Sequence, residues 1–156
     1  KVGITRNTRV PMRWIDQGAC QALPIMQVKS RLIAGQIETL LKAYVADKTN
    51  WRTLLKGAAE PLDMMHRWQQ LRIEVDPILA PLLSRLTSSD VIMLDSNPVT
   101  IHYPVMHYNS RIDSLNFDKK PLVEGELWGI KGQYLILNTG VLNISKFSAY
   151  KVQLSY

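Results

Sequence analysis

The sequence predicts an α+β fold, and three features of its pattern carry that prediction. Between residues 30 and 83, apolar side chains recur every three or four positions, which is typical of helices that pack on one face. From residue 91 onward, short β-branched and aromatic runs alternate with Gly, Pro, Asn and Asp, which indicates a small antiparallel sheet or barrel. No internal repeat is visible, so a solenoid or propeller is excluded.

The first third is predicted to mix strands and helices. In chain order these are a strand at residues 1–5, a short helical or irregular segment from Trp14 to Gly18, a strand within 23–30, a helix from about Ser30 to Ala46, and a helix over 48–57. The helix from Ser30 has the clearest signal, because its apolar residues form one stripe. The stripe consists of Ile33, Ile37, Leu40, Leu41 and Tyr44.

The middle of the chain is predicted to be helical and the last third to form the sheet. A long helix is expected over 61–75 with Pro61 in its first turn, and Pro77 is expected to end it before a second helix over 77–86. These helices serve either as a connector or as a packing layer. The expected strands lie within residues 91–94, 99–105, 114–117, 122–130, 133–137, 141–144 and 149–154, with GIKGQY as a hairpin turn.

This order of elements predicts three domains: an α/β domain at residues 1–57, a helical connector at 58–90 and a small β-rich domain at 91–156. Positive charge is concentrated in the first of them. Residues 1–57 carry ten Lys and Arg against three Asp and Glu, whereas the rest of the chain is close to neutral. Such an excess indicates either a face for phosphate or an ordinary solvated surface.

Composition excludes several classes of protein. Hydrophobic residues make up 46% of the chain, so it is not a disordered or low-complexity protein. No apolar run reaches the roughly 20 residues of a membrane-spanning helix. Cys20 is the only cysteine, which excludes an intrachain disulfide framework, and the three histidines lack metal-ligand spacing. We therefore expect a cytoplasmic protein.

The segment KVGITRNTRVPMRWIDQGA, residues 1–19, resembles the second half of the GIY-YIG nuclease signature. KVG occupies the place of the second triplet, and Arg13 that of the arginine which opens the following helix. Glu38 on the next helix and Asn50 twelve residues later match two further positions in the same order. The resemblance implies a GIY-YIG-like α/β domain over residues 1–57 that lacks its first strand.

The same resemblance implies a metal-dependent phosphodiester hydrolase, an endonuclease acting on DNA or RNA. Glu38 would hold Mg²⁺ or another divalent cation, because such hard ions prefer carboxylate oxygen. Arg13 would bind the phosphate, and Asn50 would orient the site. Lys1 replaces a tyrosine of the family, so it would act as a base or only as a phosphate-binding cation. Nucleic-acid contacts are expected from Lys1, Arg6, Arg9 and Arg13.

Each of these residues also has an ordinary structural role. Glu38 and Lys42 have the spacing of an i,i+4 helix pair, and Arg13 lies close enough in sequence to pair with Asp16. Asn50 precedes a helical run and is a good helix cap. Three functions therefore stay open: an endonuclease, a nucleic-acid-binding protein without hydrolysis, and a protein-interaction module.

Three longer segments resemble an uncharacterised bacterial domain-of-unknown-function family. They are RWIDQGA at 13–19, ADKTNWR at 46–52 and GIKGQYLILNTGVLNI at 129–144. This resemblance extends over almost the whole chain and implies no activity. The oligomeric state is open.

Overall fold

A computed structural model describes residues 1–46 and 48–156 and confirms the α+β class. The helices are α1 (Met12–Asp16), α2 (Arg31–Leu41), α3 (Trp51–Leu55) and α4 (Met64–Leu83); the strands are β1 (Gln21–Ala22), β2 (Met26–Val28), β3 (Val91–Met93), β4 (Val99–Thr100), β5 (Leu127–Lys131), β6 (Tyr134–Leu137) and β7 (Gly140–Asn143). Two short 3₁₀ turns lie at Asn7–Arg9 and Ile144–Phe147.

The chain forms two compact units, and each unit is built from three separate segments. The first unit comprises Lys1–Trp14, Ala19–Thr49 and Glu60–Ile101. The second unit comprises Ile15–Gly18, Asn50–Ala59 and His102–Tyr156. The expected division into domains at 1–57, 58–90 and 91–156 stays a prediction.

The core of the first unit is formed by α2 and α4. Its buried residues are Ile37, Leu41, Leu71, Val75 and Leu79. Because α4 supplies three of these five side chains, this helix serves as a packing layer. Two antiparallel strand pairs complete the unit, in which β1 pairs with β4 and β2 pairs with β3.

Helix α2 begins where the sequence predicts and ends earlier. Ser30 has an extended backbone, and its hydroxyl accepts the Ile33 N–H, which caps the first turn. The predicted end at Ala46 is wrong, because the helix closes at Leu41. Tyr44 therefore lies beyond the helical stripe and is 38% exposed instead of buried.

Helix α4 overturns the prediction that Pro77 ends a helix. Pro77 and Pro81 both lie inside one continuous helix of 20 residues, capped by Asp63 rather than opened by Pro61. Val75 and Leu79, on either side of Pro77, are almost fully buried in the core. Their burial on the core face offsets the hydrogen bond that proline removes.

The second unit contains the antiparallel sheet β5-β6-β7. A two-residue turn joins β5 to β6, and Gly132 supplies the positive φ, of +60°, that such a turn requires. The hairpin predicted at GIKGQY is therefore confirmed. Leu55 of α3 is fully buried with Ile136 and Val141 of the sheet, so the helix is part of this core.

Several expected strands are absent or lie elsewhere. Residues 1–5 form no strand, although the Val2 N–H donates to Ala46 O at 2.9 Å. Residues 114–117 and 149–154 also form none, apart from a bridge at Ser114. β3 and β4 pair with β2 and β1 of the first unit, so the expected single sheet from residue 91 onward is wrong in that part.

None of the helices in the described part of the chain has both the length and the apolar character that a membrane-spanning helix needs.

Candidate functional site

Three of the expected phosphate-binding residues lie on one short segment of the first unit. Arg6 precedes the 3₁₀ turn and Arg9 is its last residue, and the Arg9 N–H donates to Arg6 O at 2.9 Å. Arg13 follows in α1. We call residues 1–13 the basic segment.

The guanidinium groups of the basic segment are exposed to solvent. Arg6, Arg9 and Arg13 are all exposed, and no ion pair between described residues involves any of them. Lys1 is also exposed. The segment therefore presents several positive charges to solvent.

Glu38, the expected metal ligand, lies on α2 in the same unit. Its carboxylate Oε2 is 4.0 Å from Lys42 Nζ, and its side chain is 21% exposed. This is the i,i+4 pair that the spacing predicts. Among the described residues, no three His, Cys, Asp or Glu side chains are grouped so that they could hold a metal ion. A Mg²⁺ ion held by Glu38 would therefore take its remaining ligands from water and substrate phosphate.

Asn50, the expected orienting residue, belongs to the second unit and caps α3. Its side-chain oxygen accepts the N–H groups of Arg52, at 3.1 Å, and Thr53, at 3.3 Å. Two of the unpaired donors at the helix start are thereby satisfied. The capping role proposed from the sequence is the one that this side chain takes.

Sequence reasoning missed a stacked column that includes the start of α3. The Trp51 and Tyr134 rings are nearly parallel, with an interplanar angle of 9° and 6.1 Å between centroids. Arg52 Cζ lies 4.4 Å from the centre of the Trp51 ring. We call Tyr134, Trp51 and Arg52 the α3 column. The neighbouring Trp and Arg were visible in the sequence, whereas the partner on β6 is far along the chain.

Sequence reasoning also missed a buried lysine at the end of β5. Lys131 is 1% exposed, and its Nζ donates to Gly57 O at 3.0 Å and to Tyr108 Oη at 3.4 Å. The ammonium also lies 5.2 Å from the centre of the Tyr108 ring. No ion pair between described residues involves Lys131. The signal was the alternation of β5, because Lys131 falls on the same inward face as Gly129.

Comparisons with known proteins identify the family and leave its activity open. Neither the curated proteins nor the solved structures contain a match to this chain. A family model matches residues 1–152, nearly the whole chain, whereas the GIY-YIG resemblance receives no support and stays a prediction. The expected membership of an uncharacterised domain family is thereby confirmed. The chain belongs to the family described as Protein of unknown function (DUF2797).

Proposed function

We propose that this protein binds nucleic acid through the basic segment. The observation that carries the proposal is the group of three exposed guanidinium groups, Arg6, Arg9 and Arg13, that have no carboxylate partner among the described residues. A planar guanidinium donates two parallel hydrogen bonds to a phosphate, and several such groups together release counterions from a polyanion. A solvated surface with interspersed charges needs no such local excess.

Binding without hydrolysis is the version that the described residues favour. An endonuclease would need Glu38 to hold a divalent cation, and that carboxylate lies beside Lys42 in α2. It would also need Asn50 free to orient a substrate, and the oxygen of that amide already caps α3. A hydrolase that resembles the GIY-YIG nucleases is therefore the alternative, and the cleavage test below distinguishes it from binding alone.

The binding test compares two charge deletions in the first unit. Fluorescence anisotropy with a labelled oligonucleotide is expected to show clearly weaker binding for the double variant Arg9→Ala/Arg13→Ala than for the wild type. Arg67→Ala/Arg72→Ala is the matched control, because it also removes two exposed arginines of the first unit. Of these, Arg72 already pairs with Asp76 at 3.8 Å. Equal losses in both variants would contradict a role for the basic segment.

The cleavage test separates binding from catalysis. Single-stranded and duplex DNA and RNA are incubated with the wild-type protein and Glu38→Gln in Mg²⁺ and in Mn²⁺. The proposal predicts retained binding and no metal-dependent cleavage by either protein. Cleavage that Glu38→Gln abolishes while it still binds would replace the proposal with the endonuclease. Salt-insensitive binding to a protein partner, without nucleic-acid binding, would favour the interaction module.

A further inference from the structure

The α3 column ends in a cationic side chain that is open to solvent. Tyr134 stacks on Trp51, and Arg52 Cζ lies 4.4 Å from the centre of the Trp51 ring. Both aromatic residues are half-buried, whereas Arg52 is exposed. A guanidinium over an indole is attracted by the ring quadrupole, so its orientation is restricted before any ligand arrives.

The helix that carries the column is anchored at both ends. Asn50 caps its first turn, and Leu55, its last residue, is fully buried in the core of the second unit. Immediately beyond the helix, Lys131 Nζ donates to Gly57 O at 3.0 Å. These contacts hold the backbone of α3, which carries Trp51 and Arg52, against the sheet.

Charge around the column favours an anionic ligand. Arg52 and Lys56 are four residues apart and exposed, which places them on one side of α3. Residues 50–59 contain no Asp or Glu, and Arg52, Lys56 and Lys131 form no ion pair with any described residue. The exposed positive charges beside the column are therefore those of Arg52 and Lys56.

We propose that the α3 column is a stacking site for an unpaired base of a single-stranded nucleic acid. The base stacks on the Arg52 guanidinium, which itself lies over the Trp51 ring, while Lys56 attracts the adjacent phosphate. Bases in a duplex are already stacked on their neighbours, so a duplex offers no free face to this site. This inference rests on the proposed function and names its substrate class.

The test measures affinity for a labelled single-stranded oligonucleotide and for the duplex of the same sequence. Arg52→Ala is expected to weaken single-strand binding by roughly 5-fold or more, because a stacking partner is lost, with a much smaller effect on the duplex. Arg52→Lys keeps the positive charge and lacks the planar guanidinium group. It is therefore expected to keep the salt dependence of the wild type and still bind the single strand more weakly.

Arg111→Ala is the matched control for these variants. Arg111 is an exposed arginine of the same unit, and its Nε lies 3.3 Å from Asp113 Oδ1. The inference is overturned if Arg52→Ala and Arg111→Ala have the same effect on the single strand, or if Arg52→Ala weakens duplex and single strand equally. If those results accompany binding that Arg9→Ala/Arg13→Ala weakens, only this inference fails. No binding of either nucleic acid by the wild type overturns both proposals.

Discussion

Lys131 brings an ammonium group into the interior of the second unit. A buried charge costs free energy unless its donors are satisfied, and here Gly57 O and Tyr108 Oη accept from it. The carbonyl belongs to the residues that follow α3, so the lysine links β5 to the end of that helix. Its long aliphatic stem fills the space between them.

Truncation of Lys131 and removal of its charge are expected to lower the free energy of unfolding by different amounts. Lys131→Ala should lower the free energy of unfolding by about 2–4 kcal/mol, because it leaves a cavity and removes the donor to Gly57 O. Lys131→Met keeps the stem volume and removes a buried charge, so its loss should be only about 1–2 kcal/mol. Urea unfolding followed by tryptophan fluorescence measures both. Equal losses would contradict the filling role of the stem.

Asp90 is a second residue whose contacts have a measurable consequence. Its carboxylate accepts the Thr87 hydroxyl at 2.7 Å and the Thr87 N–H at 2.9 Å, and Lys29 Nζ lies 3.6 Å away. These hydrogen bonds, the hydroxyl first, lower the pKa of Asp90 below its ordinary value of 3.8, and the Lys29 charge acts in the same direction.

Asp90→Asn is therefore expected to destabilise the protein only where Asp90 is ionised. A lowered folded-state pKa stabilises the fold above the unfolded pKa, and that contribution disappears as the pH falls through the folded pKa. Thermal unfolding should give a lower midpoint for the variant at pH 7 and matching midpoints once the pH is below the lowered pKa that Asp90 has in the folded state. A difference that persists at the acid end would show that the amide fails for steric reasons instead.

At the scale of elements, α4 shows how tertiary burial overrides a local breaker. Proline lacks the N–H of a helical hydrogen bond and its ring crowds the carbonyl four residues earlier, here that of exposed Ile73. The helix nevertheless continues because Leu71, Val75 and Leu79 are buried together in the core. The sequence carries the same three-and-four spacing through Pro77, and that periodicity was the stronger signal.

Replacing Pro77 by alanine is expected to stabilise the protein. The change restores a backbone donor and removes the ring, which is worth about 3 kcal/mol in an ideal helix, less the entropy regained by the unfolded chain of up to about 1 kcal/mol. Pro61→Ala is the control, since Pro61 is exposed and precedes α4. Chemical denaturation should rank Pro77→Ala above Pro61→Ala, and the reverse order would contradict the account.

Local sequence patterns did not predict which strands pair with each other. Periodicity predicted α2, α3, the β5–β6 hairpin and the α+β class, because each depends on residues close in sequence. β1 was not predicted, since two residues carry no alternation, and its pairing with β4 joins Gln21 to Thr100. Partner choice over such separations depends on the whole tertiary structure.

At the scale of the molecule, one candidate interface could be predicted from the sequence and the other could not. The basic segment was predictable, because an excess of arginine over carboxylate is a property of composition. The α3 column was not, because Trp51 and Tyr134 come together only when residues 50–59 join the sheet of the second unit. From the sequence alone, metal binding by Glu38 could not be distinguished from an ion pair, and orientation of the site by Asn50 could not be distinguished from a helix cap.

The measurement that tests the central claim most directly is the salt dependence of oligonucleotide binding. Affinity is measured over a range of salt concentrations for the wild type and for Arg6→Ala/Arg9→Ala/Arg13→Ala. The account predicts a steep linear fall of log K with log salt concentration, with the slope reduced by roughly 0.7–0.9 for each arginine that contacts phosphate. A salt-independent affinity, or an unchanged slope in the triple variant, would contradict it.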